Sequence, residues 1–395
     1  MPSSALFQSS PAIALPPCGA FSSFASWQSQ PPVSRLHSHS TPLPTHRNQL
    51  DAMVSSSDQL LNANAGKGPA YAAPLASTEE NLKQPPQPQP QEPSVVNLYV
   101  SVALWAIAGC YARIFTERLF GSTAADVIDA DTLLVPSFFD NVAGSMILGF
   151  LVAASTTMSK GGGALVLLTG MSVGLCGAYT TFSAWTLQTN ALLIAPTSDV
   201  PQPQIAALCY IFASIATFIV AHRVGADVGA LLTGAVQKAA PGISEGIIAI
   251  VNGVLLVATA IGLSIALGVN DNSWLEKRYW LSGLFAIPGA SLRYALARQF
   301  NKFRGGRFPL GTFLANIGGT LACALVTHEF TKASDWDDTA ARAFVTGFCA
   351  SLTTMSTLVN ELAILRRDHS VQDGVIYLAS TVILAQFIVG MVSFW

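Results

Sequence analysis

Two short polar stretches interrupt apolar segments of this 395-residue chain, and their residue types are suited to binding an ion. The first is GLCGAYTTFSAW at residues 174–185, and GFCASLTTMSTL at residues 347–358 nearly repeats it. Glycine and paired β-branched threonines disturb regular i to i−4 hydrogen bonding and release carbonyl oxygens. Within a membrane, such backbone is tolerated only where the protein or an ion satisfies it. Both stretches therefore predict helices that are interrupted near their middles.

Two asparagines add amide N–H donors to otherwise apolar segments. Asn141 and Asn316 stand beside glycines, Gly144 and Gly318 respectively. For one isolated asparagine, a hydrogen bond between helices is the simpler explanation, worth about 0.6–2 kcal/mol in membranes. Because the two asparagines occupy equivalent positions of an internal repeat, we expect them to line an ion path.

Hydroxyl side chains collect on two later apolar segments, at Tyr210, Ser214, Thr217, Tyr377, Ser380 and Thr381. Each tyrosine has a Ser or Thr four residues later, so the two hydroxyls share a helix face. This spacing predicts a track of hydroxyl groups beside the same path. Ser and Thr often bond their own helix carbonyls instead, which is the competing interpretation.

Composition defines the class of protein that must position these groups. Hydrophobic residues make up 51% of the chain, charged residues only 11%, and the mean hydropathy is +0.46. These values indicate a polytopic membrane protein. A net charge of −2 without a Lys/Arg-rich run gives no footprint for nucleic acid. The apolar segments contain no Ser/His/Asp or His/Glu metal arrangement, so an enzyme is not expected.

Nine apolar segments follow a polar N-terminal region, each near the roughly 20 residues that cross a bilayer. They span approximately residues 95–118, 132–156, 163–192, 203–222, 243–269, 275–299, 307–328, 339–365 and 372–394. Residues 1–94 are rich in Ser, Pro and Gln, which predicts a disordered tail. Lys and Arg are more frequent in the loops on the side of this tail, so we expect a cytoplasmic N-terminus and an external C-terminus in the plasma membrane. An organelle membrane, such as that of a plastid, is the alternative, because the tail is Ser-rich and lacks acidic residues before Asp51.

The strongest pattern is a repeat of these features in the same order. GCYAR at 109–113 matches GASLR at 289–293, FFDNVAGS at 138–145 matches FLANIGGT at 313–320, and TTFS at 180–183 matches TTMS at 353–356. The repeats cover residues 95–222 and 275–395, and the unmatched segment 243–269 reads as a linker helix. Four spans plus one make an odd number, so the second repeat should enter the membrane from the opposite face. The predicted fold is an all-α membrane protein with two inverted four-helix repeats and nine transmembrane helices.

The ordered motifs G-x-x-x-R, N-x-x-G-[ST] and G-[LF]-C-[GA]-x-[YL]-T-T-[FM]-S resemble the Fluc/CrcB fluoride channel family, in its fused two-repeat eukaryotic form. The resemblance implies a passive, fluoride-selective channel in the lipid bilayer that exports fluoride and confers resistance to it. It also implies two pores in an antiparallel pair of four-helix units. One chain would act as a monomer, because its two repeats replace the family's dimer.

The resemblance assigns roles to particular residues. Asn141, Asn316 and the hydroxyl track would replace the hydration of fluoride. The family places two phenylalanines on the third helix of each repeat, and ring edges can solvate an anion. At these positions the chain has Phe182 and Trp185 in the first repeat but Met355 and Leu358 in the second. This departure leaves open whether one or both pores conduct.

Two further assignments also come from the resemblance. The backbone carbonyls of Gly177, Thr180, Ala350 and Thr353 would hold a structural Na⁺ between the repeats. Arg113 and Arg293 would lie near a vestibule, attracting anions or fixing the structure by bonding carbonyls. Snorkelling at a helix end is the simpler explanation for both arginines.

A proton-coupled transporter of fluoride or another small anion is the alternative function. Such transporters commonly need a carboxylate in the middle of the membrane. None of the nine predicted spans carries Asp or Glu near its centre, which favours the channel.

Overall fold

The computed structural model describes residues 93–120, 135–156, 162–194, 203–232, 245–268, 274–332 and 339–394. Almost all of these residues are helical, and no strand occurs among them. The predicted N-terminal tail, apart from residues 93 and 94, lies outside the described residues, as does Trp395.

Nine long helices follow one another in the described part of the chain. They are α1 (Val95–Phe120), α2 (Phe138–Ser155), α3 (Gly162–Ile194), α4 (Pro203–Leu231), α5 (Glu245–Gly268), α6 (Trp274–Phe300), α7 (Leu310–Lys332), α8 (Thr339–Asp368) and α9 (Val371–Phe394). A short 3₁₀ turn, Phe303–Gly306, joins α6 to α7.

Seven of the nine helices, all except α5 and α6, are long and apolar enough to cross a membrane. The expected all-α membrane architecture is therefore confirmed. The two exceptions coincide with predicted spans. In α5 the apolar helical stretch is the shorter Gly246–Thr259, whereas α6 contains five charged residues, among them Arg293 and Arg298.

The two predicted interruptions occur in α3 and α8. Each helix passes through a π-helical stretch, Gly170–Cys176 or Phe344–Cys349, and one further α-turn. The backbone then becomes extended at Thr180 (ψ 150°) and at Thr353 (ψ 155°), which ends the first half of each helix. The second halves begin at Phe182 and Met355.

Apolar side chains cover much of the outside of the molecule, and polar ones fill part of its interior. Phe212 and Ile383 are 73% and 68% exposed, whereas all the Thr and Ser residues of the two interruptions except Thr357 are buried. Close helix packing at glycines supports this interior. A Cβ on Gly225 of α4 would lie 1.9 Å from the carbonyl oxygen of Met146 in α2. Small residues permit such approach between membrane helices, where packing and hydrogen bonds replace the hydrophobic effect.

The first helices of the two repeats, α1 and α6, pack antiparallel. The ring of Tyr99 near the start of α1 contacts that of Tyr294 near the end of α6, with centroids 5.1 Å apart. Further along α1, the hydroxyl of Tyr111 donates to the carbonyl oxygen of Trp280, near the start of α6, at 3.1 Å. Residue numbers therefore rise along one helix as they fall along the other.

Candidate ion-binding site

Each asparagine closes the helix interruption of its own repeat. The Asn141 side chain accepts from the Thr181 amide at 2.9 Å and donates to the Thr181 carbonyl at 3.1 Å. Asn316 makes the same two contacts with Thr354, at 2.8 and 3.2 Å. Each of these bonds to a carbonyl uses one of the two amide hydrogens. The asparagines thus stabilise the interruption and retain a second N–H group.

These contacts redirect amides that would otherwise continue the helix. Because the Thr181 amide donates to Asn141, it does not close the i to i−4 bond to Gly177. Because the Ala184 amide donates to Thr181 Oγ1 at 3.3 Å, it does not close the bond to Thr180. Equivalent amides are redirected in the same way in the second repeat.

In the second repeat, the amides of Thr354 and Thr357 donate to Asn316 Oδ1 and Thr354 Oγ1. The carbonyls of Ala350 and Thr353 therefore lose their helical amide donors as well, and the Ala350 carbonyl accepts from Thr353 Oγ1 at 3.4 Å instead. Oxygen ligands of this kind suit a hard cation. The four carbonyls predicted for Na⁺, those of Gly177, Thr180, Ala350 and Thr353, thus fit the ion chemically.

Six buried hydroxyl groups connect the two interruptions. They belong to Thr180, Thr181, Ser183, Thr353, Thr354 and Ser356. Thr180 Oγ1 lies 3.0 Å from Ser356 Oγ, and Thr353 Oγ1 lies 3.0 Å from Ser183 Oγ. The Ser356 and Ser183 amides donate to the same two threonines. The contacts are reciprocal, as in an isologous interface with twofold symmetry.

The two arginines also join the repeats reciprocally. Arg113 donates to the carbonyls of Ala178 in its own repeat and Thr346 in the other. Arg293 donates to Ser351 in its own repeat at 3.0 Å and to Val173 in the other at 2.8 Å. The acceptors are equivalent by their positions in the repeat, since Ala178 matches Ser351 and Thr346 matches Val173. Both arginines are only 2% exposed. Of the two roles expected for them, attracting anions or bonding carbonyls, these contacts match the second.

The predicted aromatic positions lie in one hydrophobic cluster. Phe182, Trp185, Met355 and Leu358 are all buried in it. The ring planes of Phe182 and Trp185 are tilted by 41° relative to each other, and their centroids lie 5.8 Å apart. The Trp185 indole donates to Ser214 Oγ at 3.1 Å, so its N–H group is already engaged.

The hydroxyl track is only partly assembled. Ser214 and Thr381 are buried but donate to carbonyls of their own helices. Thr217 and Ser380 do the same, and Thr217 is exposed on the outside of α4. The structure therefore does not bring Thr217 together with the other predicted pore residues.

The tyrosines of the track have different partners. The Tyr377 hydroxyl donates to Glu361 Oε2 at 2.6 Å, and Thr312 and Asn301 donate to Glu361 Oε1. The Tyr210 hydroxyl instead accepts from the amide of residue 135. In the first repeat, Gln188 replaces the glutamate and accepts from Ser137 Oγ at 2.6 Å.

The structure adds Ser145 and Thr320 to the candidate site. Both hydroxyls are buried without a hydrogen-bond partner in the described part of the chain. They follow Asn141 and Asn316 by four residues, one helical turn on the same face. The motif N-x-x-G-[ST] contains both residues, and this was the available sequence signal.

The fold and site define a multi-pass α-helical membrane protein with two matching halves and a buried polar centre. The family described as "CrcB-like protein, Camphor Resistance (CrcB)" matches residues 100–226 and 280–392. The chain belongs to the CrcB-like family, and the two matched segments agree with the internal repeat.

Several named proteins are similar to the chain. It is 31% identical to Fluoride export protein 1 of Candida albicans over 242 residues, 54% of this chain and 58% of the relative. It is 38% identical to Fluoride export protein 1 of Saccharomyces cerevisiae over 100 residues, 22% of this chain and 26% of the relative. The match to Fluoride-specific ion channel FluC of Nitratidesulfovibrio vulgaris is 31% identical over 118 residues, 30% of this chain and 91% of that channel. The chain thus spans little more than half of the Candida relative. No solved structure is significantly similar to it.

Proposed function

We propose that the chain is a passive, fluoride-selective channel that exports fluoride and thereby confers fluoride resistance. The observation that carries this proposal is the pair of asparagine-closed interruptions, buried and joined by reciprocal contacts. Similarity to a fluoride-specific channel along 91% of that channel's length supports the choice of ion. The function is conduction rather than catalysis.

The two repeats would be inverted and would form the conducting unit within one chain. The antiparallel packing of α1 and α6 supports inversion, since these helices are equivalent in sequence. The reciprocal arginine contacts support a monomer, because each repeat receives donors from the other. We further propose a plasma-membrane location with the N-terminus in the cytoplasm and the C-terminus outside.

Selectivity would come from neutral donors in a narrow interior. Fluoride holds its hydration tightly, so a path must supply replacement donors without trapping the ion. The second N–H group of each asparagine and the Ser145 and Thr320 hydroxyls offer such donors. The ring edge of Phe182 adds weak electropositive solvation.

A structural Na⁺ would complete the centre. The carbonyls of Gly177, Thr180, Ala350 and Thr353 would hold it, since the amides that normally bond them donate elsewhere. The ion would supply positive charge between the two interruptions. Thr180 and Thr353 would hold it through extended backbone, which turns their carbonyls out of the helix ladder.

Proton-coupled transport of fluoride or another small anion is a second candidate. The observation that favours it is the buried Glu361 carboxylate, which Thr312, Asn301 and Tyr377 contact inside the protein. A carboxylate within a spanning helix is a feature of proton relays.

Fluoride efflux from proteoliposomes tests these proposals. With a valinomycin potential and a fluoride electrode, a channel should release fluoride according to potential, ignore a pH gradient and exclude chloride. The control is the chain with both Asn141→Asp and Asn316→Asp, which places negative charge at each interruption and should abolish flux. Absence of flux in the unmodified chain would overturn the proposal, and flux that requires a pH gradient would establish the transporter. Replacement of all Na⁺ by N-methylglucamine should abolish flux, and unchanged flux would exclude a required Na⁺.

A further inference from the structure

Three polar groups of α1 and the linker helix α5 are buried without partners. They are Ser101 Oγ, Trp105 Nε1 and Asn252 Nδ2, and none has a hydrogen-bond partner among the residues that the structure describes. Ser101 is 0% exposed and Asn252 is 4% exposed. Indole and amide nitrogens can only donate, and a hydroxyl can donate. The three groups therefore form a set of unused donors.

Gly170 brings two of these donors together. A Cβ at Gly170 would lie 2.2 Å from Ser101 Oγ and 3.0 Å from Trp105 Nε1. Ser101 Oγ and the Trp105 ring edge that carries Nε1 thus both pack closely on Gly170, which has no side chain. Gly170 is also where the π-helical stretch of α3 begins, and such distortions are frequent at functional sites.

The linker helix places Asn252 at the same level. Ile248 packs with Leu98 near the start of α1 and with Val166 near the start of α3. The buried face of α5 continues beyond Ile248 through Asn252. If α5 ran in the opposite direction, Asn252 would lie beyond the first residues of α1 and α3, where it could not be 4% exposed. Asn252, one turn after Ile248, therefore lies level with Ser101 and Gly170.

The second repeat lacks every one of these features. Ser101, Trp105 and Gly170 correspond to Leu281, Phe285 and Ala343. The correspondence is structural as well, because a Cβ on Gly174 would lie 2.8 Å from Trp105 Cβ, and a Cβ on Gly347 would lie 2.7 Å from Phe285 Cβ. The donors therefore occur in the repeat that packs against α5, and apolar groups take their place in the other.

Unused buried donors are costly unless a ligand accepts from them. A water molecule can accept from only two of these groups and would have to donate to the Ser101 hydroxyl oxygen to contact all three, whereas a monatomic anion can accept from all three. Positive charge lies at this end of the bundle, where Arg298 stacks over the ring of Tyr294 at 5.7 Å. Tyr294 itself packs in the cluster of Leu98, Val166 and Ile248. No acidic residue occurs in residues 95–116 or 162–176.

We propose that Ser101, Trp105 and Asn252 form a binding site for one monatomic anion, with fluoride as the probe, between the linker helix and the first repeat. The site is separate from the asparagine-closed interruptions. Its ligand would tie α5 to α1 and α3.

Indole N–H signals of the full chain in nanodiscs provide the test. With ¹⁵N-tryptophan labelling, the Trp105 signal is assigned by its absence in Trp105→Phe, a substitution that copies Phe285 of the other repeat. Addition of NaF should shift this signal to saturation, whereas equal NaCl should leave it nearly unchanged. Ser101→Ala and Asn252→Leu should each weaken the apparent affinity about tenfold, since each removes one hydrogen bond to an anion.

The Trp185 indole, which contacts Ser214 in the proposed pore region, reports on the other site in the same spectra. Fluoride flux in Trp105→Phe should equal that of the unmodified chain, so failure of this inference is distinguishable from failure of the channel proposal. A Trp105 signal that does not move, or that moves equally with chloride, would overturn the anion site. Unaltered affinity in both Ser101→Ala and Asn252→Leu would also overturn it.

Discussion

At the scale of single residues, each asparagine stabilises the interruption of its own repeat and keeps one amide hydrogen that this contact does not use. Through both polar side-chain atoms, Asn141 bonds the backbone of Thr181 and Asn316 bonds that of Thr354. The carbonyl four residues before each threonine therefore loses its helical amide donor. A hydrogen bond between helices and an ion-path role are therefore compatible in one side chain.

The unpartnered hydroxyls give a sharper test of the path than the asparagines do. In the double variant Ser145→Ala, Thr320→Val, fluoride flux should fall about fivefold or more, as expected for the loss of roughly 1 kcal/mol of donor interaction. Thermal stability should stay the same or rise, since two buried hydroxyls without partners are removed. Proteoliposome flux and thermal unfolding of the same samples provide the measurements.

Thr217→Val is the matched control. Its hydroxyl is exposed and bonds Ala213 of its own helix, so neither flux nor stability should change appreciably. Equal flux in the double variant and the unmodified chain would show that Ser145 and Thr320 do not line the path.

The residues of the candidate site could be predicted from the sequence where they belong to a motif. Their contacts with other side chains could not be predicted. The Asn and Thr-Thr motifs mark the interruptions directly in the sequence. The importance of Ser145 and Thr320 depends on the absence of a partner, which is visible only after packing. Likewise, Glu361 meets side chains from positions 301, 312 and 377, far apart in the chain.

At the scale of helices, the interruption in α8 depends on close packing against α7. From sequence, Gly318 is the glycine expected beside Asn316, but the structure gives the packing role to Gly319. A Cβ on Gly319 would lie 2.5 Å from Thr353 Cγ2, as a Cβ on Gly144 would lie 2.3 Å from Thr180 Cγ2. The motif offset of 175 residues already pairs Gly144 with Gly319.

Adjacent glycines of α7 allow a controlled test of this packing. Gly319→Ala should displace Thr353 and lower the free energy of unfolding by about 1–3 kcal/mol, the usual cost of overpacking. Gly318→Ala should be neutral or stabilising by up to about 1 kcal/mol, because no atom lies within 4 Å of its Cβ position and alanine favours helix. Thermal unfolding in detergent measures both. Equal effects of the two substitutions would contradict the packing described for Gly319.

At the scale of the whole molecule, equivalent positions of the repeats should lie on opposite sides of the membrane. Leu119 and Gln299 are exposed equivalents near the ends of α1 and α6. In a background without Cys18 and Cys209, an impermeant maleimide should label Leu119→Cys in intact cells and Gln299→Cys only after permeabilisation. Labelling of both from the same side would exclude inverted repeats.

The repeat also predicts more symmetry than the molecule has. The guanidinium of Arg293 lies against Gly177, where a Cβ would be 2.2 Å from Nη1. In the other repeat, Ala350 occupies the position equivalent to Gly177. Arg113, the equivalent of Arg293, pairs with Glu117 at 3.6 Å. The order of the motifs indicates the architecture, because the two halves keep the same sequence of apolar spans although many of their side chains differ. Differences between the two halves arise from individual side chains that periodicity does not report.

The exchange of arginine contacts has a consequence for biosynthesis. Arg113 bonds the carbonyl of Thr346, which follows it by 233 residues. At about 5–20 residues per second, the ribosome needs roughly 10–50 s to make that stretch. During this interval the newly inserted first half holds a cation without one of its final acceptors. Nascent first halves should therefore be clients of membrane quality control until the second half arrives.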